Sequence, residues 1–155
     1  MRKIGIFSEG ITFPYKKISK KTIKSDAMRI LEILSLDNVS VTVIATDNPF
    51  MKELNRKYRK KNSFTDVISF ANRDEPFPTA GLQIEELGDI YISFEKAEEQ
   101  AGGFGVTLYE EVRRLLVHGI LHLLGFDHER SVKDARIMEK KEDEILHLLV
   151  INHQA

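Results

Sequence analysis

The segment from Thr107 to His128 constrains this chain more than any other. Thr107-x-x-Glu110 is a capping box: the threonine oxygen accepts a free backbone N–H, and the glutamate reaches back to the cap. The helix it opens carries Leu108, Val112, Leu115, Leu116 and Leu123, and is expected to be largely buried. Gly125 ends it by permitting a positive φ. Three of the five histidines fall near its end, at His118, His122 and His128. Residues four apart on an α-helix are separated by roughly 40° around the axis, so His118 and His122 share a face. Gly125 lets the chain double back and bring His128 to a third position.

Three neutral imidazoles plus water form an open tetrahedral site suited to Zn²⁺. Nickel or another transition metal takes similar ligands. The competing reading is structural, since a histidine on an apolar helix is usually a core residue with a hydrogen-bonded partner. Histidines at i, i+4 and i+10 with glycine at i+7 weigh toward a metal. Asp127, beside His128, is expected to orient a ligand from outside the coordination sphere, with assistance to proton transfer as the alternative. His147 and His153 lie outside the spacing. The helix is zincin-like in its histidines, but the peptidase pattern has glutamate directly after the first histidine. Here that position is Gly119, which cannot move a proton, so a metallopeptidase is a weak alternative.

At 155 residues the chain is expected to be one domain, residues 1–155, with room for a real core. Its 42% hydrophobic and 30% charged residues are ordinary for a globular protein. The absence of cysteine excludes a disulfide scaffold, a thiolate metal site and a cysteine nucleophile. No signal peptide is visible and no run approaches the roughly 18 apolar residues of a membrane span, so the expectation is a cytoplasmic protein without a membrane partner.

The net charge of −1 argues at first against nucleic acid. Residues 1–61, however, hold 14 Lys/Arg against 6 Asp/Glu, while residues 62–155 hold 9 against 18. Near-neutrality is therefore a cancellation. The densest basic stretch is Arg56-Lys57-Tyr58-Arg59-Lys60-Lys61, which can neutralise several phosphates. Alternatively it is a solvated helix end, where cations oppose the negative end of the dipole.

Runs at 3–7, 39–45, 67–71 and 89–93 are expected to be strands. Helical spacing predicts a helix from about Lys16 to Ser35, and Pro49 a second one starting at Asp47 or Asn48 and running to about Lys60. A stretch from Asn72 to Glu86, holding Pro76, Pro78 and Gly81, is expected to be a mobile loop. A short helix is expected over Phe94–Ala101, ended by Gly102-Gly103, and a last one from Ser131-x-x-Asp134 to about Leu149. The result is an α+β fold with a four-stranded sheet and about five helices.

Three blocks, in the family's order, resemble the YbeY endoribonucleases, or ribosomal RNA maturation factors, over most of the chain from about Val41. One is Leu54-Asn55-x-x-Tyr58-Arg59 followed by Thr65-Asp66-Val67-Ile68-Ser69-Phe70, and another is Leu87-Gly88-Asp89-Ile90-x-Ile92-Ser93. The most specific is His118-Gly119-x-Leu121-His122-Leu123-x-Gly125-x-Asp127-His128. One departure is Asn62 and Phe64, where the family often has Asp and Pro. The resemblance implies a mixed four-stranded sheet with surrounding helices, a metal on His118, His122 and His128, and an arginine at Arg59 important for activity. It also implies metal-dependent hydrolysis of single-stranded RNA, in 16S rRNA 3′-end maturation and ribosome quality control on the small subunit. In that scheme Arg59 holds the phosphate, while Lys57, Lys60 and Lys61 attract the RNA backbone. The alternative from another class is a non-catalytic ribosome-assembly factor with a structural metal.

Overall fold

A computed structural model of the chain describes residues 1–59, 65–74 and 83–154. Its strands are β1 (Arg2–Glu9), β2 (Val39–Thr46), β3 (Val67–Ala71) and β4 (Glu85–Ser93). The helices are α1 (Lys20–Ile33), α2 (Asn48–Arg59), α3 (Phe94–Phe104), α4 (Leu108–Leu123) and α5 (Val132–Gln154), with a 3₁₀ turn at Asn72–Asp74. The sheet order is β1-β2-β4-β3, with β1, β2 and β4 parallel and β3 antiparallel on the edge. The fold is therefore α+β with a mixed four-stranded sheet, as expected.

Strand alternation sends Val39, Val41, Val43 and Ala45 to one side, where they join Ile90, Ile92, Val112, Leu116 and Ile120 in the main core. On the other side lie Ile44 and Ile68, buried together with Met51 of α2. Phe50 stacks on Tyr91 with centroids 6.0 Å apart, and Tyr58 meets Phe70 edge-on at 5.4 Å. Phe70 in turn meets Tyr91 at 5.8 Å. This aromatic ladder pins both ends of α2 to β3 and β4, and so fixes where the chain carries Arg59.

Local capping explains most helix starts. Ser19, Ser93 and Thr107 accept from Thr22, Lys96 and Glu110 N–H groups respectively, and both halves of the Thr107–Glu110 box are present. Asp47 caps α2 through Phe50 N at 2.9 Å, and Ser131 caps α5 through Asp134 N at 3.0 Å.

Several boundaries differ from expectation. Helix α1 starts at Lys20, not Lys16, because Lys16 and Lys17 take φ values of 44° and 73° and Tyr15 pairs with Ile18. Helix α3 runs through Gly102 and Gly103 to Phe104 and ends at Gly105, whose φ is 69°. The two glycines were poor stop signals because the left-handed position lies beyond them. The expected loop from Asn72 is shorter at its far end: Glu85 and Glu86 belong to β4, and Arg73 chelates Glu85 at 2.9 and 3.0 Å. Residues 75–82, with Pro76, Pro78 and Gly81, lie outside the described residues. Helix α5 extends past Leu149 to Gln154. Among the described residues no helix is long and apolar enough to cross a membrane.

Candidate functional site

Helix α4 lies against β3 and β4. Gly119 is buried at this crossing, where an added Cβ would stand 2.6 Å from Ile90 Cγ2. The Ser69 hydroxyl also donates toward the Gly119 carbonyl at 3.4 Å. The position that carries the base in peptidases therefore faces the sheet, and its glycine is what allows the helix to approach. Its neighbour His118 is one-fifth exposed, and His122 is partly buried with Nδ1 enclosed.

Leu124 ends α4, and Gly125, at φ 101°, reverses the chain. Phe126 N donates back to Leu121 O at 3.1 Å. The reversal brings the His128 ring beside His118, with centroids 5.0 Å apart and planes at 60°. The turn is held by Asp127, whose Oδ1 accepts from Glu129 N at 2.8 Å. That bond, reinforced by Arg130, His122 and His128, holds the Asp127 carboxyl below the usual carboxylate range. Asp127 thus lies within electrostatic reach of two of the three histidines.

The donors are chemically suited to a transition metal: two imidazoles on α4 and a third on the loop after it, no thiolate, and carboxylates nearby. Among the described residues no group of three or more His, Asp or Glu side chains is gathered closely enough to hold an ion. What is drawn together is the pair His118 and His128, with His122 one turn along the same helix face.

Sequence reasoning missed the carboxylate behind His118. Glu142 of α5 is 8% exposed, and its Oε1 lies 3.1 Å from His118 Nδ1. It stands at a core position between Met138 and Ile145, and an acid in that apolar stripe was the available signal. Also missed was a polar chain leading to it. Gln100 Nε2 donates to Asp66 at 3.3 Å and to buried Glu111 at 2.6 Å, and Glu111 takes Arg114 in a two-pronged bond of 2.7 and 2.8 Å. The Glu111 bond raises the Arg114 guanidinium further above its ordinary value, with Glu142 and Asp66 adding to it.

The basic stretch is only partly described. Lys57 is exposed, with its ammonium 5.4 Å from the Tyr58 ring centroid. Arg59 closes α2; its side chain, with Lys60 and Lys61, lies outside the described residues, as does the side chain of His153. His147 is exposed on α5.

An edge strand thus lies over a histidine-bearing helix, and a reversing loop returns a further imidazole to its end. The family model "Endoribonuclease YbeY" matches residues 11–150. Endoribonuclease YbeY of Persephonella marina is 46% identical over 130 residues, covering 84% of this chain and 83% of the relative. That of a Sulfurihydrogenibium species is 48% identical with the same coverage, and that of Aquifex aeolicus is 43% identical over 131 residues, covering 84% of each. The solution structure of TM1509 from Thermotoga maritima superposes with a TM-score of 0.61 at 30% identity, covering 92% of this chain and 86% of the other. The chain belongs to the YbeY endoribonuclease family, a family of nuclease hydrolases. Membership is consistent with a metal cofactor.

Proposed function

We propose that the protein is a metal-dependent endoribonuclease that cuts single-stranded RNA, acting in the cytoplasm as one domain, residues 1–155. Its role is maturation of the 3′ end of 16S rRNA and quality control of the ribosomal small subunit. The observation that carries this reading is the His118–His128 pair, 5.0 Å apart at the end of α4, in a chain of this family.

His118, His122 and His128 hold one ion, with zinc favoured by the all-imidazole set and nickel the alternative. Bound there, a divalent ion supplies a Lewis acid for a phosphoryl oxygen and acidifies a water. Asp127 holds the turn that carries His128, so it positions a ligand without joining the set. Arg59 grips the scissile phosphate through its planar guanidinium and stabilises the charge that builds up during cleavage. Lys57, Lys60 and Lys61 attract the backbone irrespective of sequence.

The test compares metal-loaded wild type with Arg59→Ala and His122→Ala on a defined single-stranded RNA. Both variants are expected to lose about a hundredfold or more in rate, the scale on which one transition-state charge contact acts. Undiminished cleavage in both sinks the proposal. Wild type that binds rRNA and never cleaves it at any metal loading points instead to an assembly factor with a structural metal.

A further inference from the structure

The geometry points to Glu142 as a positioning residue: its carboxylate holds His118 in one tautomer and so leaves the Nε2 lone pair available to a metal. This rests on the ligand role proposed for His118. A carboxylate can only accept, so the 3.1 Å contact between Glu142 Oε1 and His118 Nδ1 places the imidazole proton on Nδ1. A neutral imidazole has one such proton. Nε2, on the other side of the ring, is then the free donor.

The contact is built into the packing. Glu142 comes from a different helix, 24 residues further along the chain. Met138, Ile145 and Leu149 bury the α5 stripe on either side of it. Arg114 lies one turn before His118 on α4, its guanidinium in electrostatic reach of Glu142. Behind it opens a cavity of about 610 Å³, walled by Glu111, Arg114, Glu142 and the apolar Val106 and Leu146. Such a carboxylate behind a ligating imidazole fixes ring orientation and makes the far nitrogen a stronger donor, and its loss typically lowers metal affinity by about 10–100-fold.

The experiment uses the full chain with Glu142→Ala and Glu142→Gln. Glutamine is nearly isosteric and its carbonyl oxygen can still accept from Nδ1, so it keeps the test valid if alanine perturbs folding. Two readouts are taken. The first is the imidazole ¹⁵N–¹H NMR correlation of metal-free protein above the histidine titration range. The second is zinc affinity by chelator competition. Wild type and Glu142→Gln are expected to show His118 with the proton on Nδ1. Glu142→Ala is expected to shift His118 toward the Nε2–H form and to bind zinc about 10–100-fold more weakly, with Glu142→Gln falling much closer to wild type. A wild-type His118 protonated on Nε2 overturns the inference, as does zinc affinity in Glu142→Ala equal to wild type. Wild type that binds no zinc at all overturns the ligand reading itself, a failure distinct from the other two.

Discussion

Gly88 is the position at which one added methyl group should cost most. It lies where β4 slips register against β2: Ser40 pairs with Glu86 and Val41 with Gly88, leaving Leu87 as an extra residue. Gly88 has φ +143°, outside the range of ordinary side-chain-bearing residues. An added Cβ would stand 2.1 Å from the Phe70 carbonyl oxygen and 2.9 Å from Leu123 Cδ2, where real Cβ contacts essentially never fall under 3.0 Å. The first clash is with backbone, so no rotamer relieves it. Either β3 moves away at the Ala71–Gly88 end of its ladder, or β4 does. The backbone conformation costs about 1–2 kcal/mol and the overpacking about 1–3 kcal/mol. A combined loss of about 3 kcal/mol lowers the Tm of a chain this size by about 6–12 °C. Thermal melts by circular dichroism, with urea unfolding at fixed temperature, measure it. Gly102→Ala is the control: Gly102 is inside α3 with nothing within 4 Å of the added Cβ, and it should gain up to about 1 kcal/mol from helix propensity. A Gly88→Ala protein melting within 2 °C of wild type, or a Gly102→Ala loss of similar size, refutes the packing argument.

Three further outcomes are expected. Thr107→Ala removes the acceptor for Glu110 N at 3.1 Å and should cost about 1 kcal/mol, with Thr107→Asp recovering most of it; equal melting of all three proteins contradicts this. Gly119→Ala gains about 1 kcal/mol of helix propensity but forces Ile90, whose Cγ2 is 2.6 Å from the new Cβ, so the balance should be a net loss in urea titrations; a more stable variant would show that α4 can back away from the sheet. Partial desolvation within β4, where its side chain is still exposed, then the neighbouring Glu86 charge, pushes the Asp89 carboxyl up from its ordinary value. A carboxyl raised on folding contributes its full stability below about pH 4 and loses it as pH rises through the raised value. Asp89→Asn should therefore stabilise the protein relative to wild type at neutral pH and not in acid, and a pH-independent difference overturns that assignment.

What could be read from the amino-acid order was whatever is local along the chain. The capping box at Thr107, the shared face of His118 and His122, and the turn at Gly125 depend on residues within a few positions of one another, and backbone geometry alone relates them. The same locality misled where a signal had two readings. Gly102-Gly103 looked like a stop but lies inside α3, and the spacing before Lys20 continued although Lys16 and Lys17 leave helical geometry.

Only the tertiary structure decided the rest, because it depends on segments that packing brings together across long stretches of chain. Glu142 reaches His118 because α5 packs on α4. In the sequence it is one more acid in Glu139-Lys140-Lys141-Glu142-Asp143-Glu144, and only its place in the apolar stripe hinted at burial. Gly119 signified by itself the lack of a base; in the fold it is the contact that lets α4 lie against Ile90. The histidine triplet was written in the sequence, but the carboxylate behind it was not, since a ligand's spacing is set by one helix while its support comes from whichever element packs against that helix.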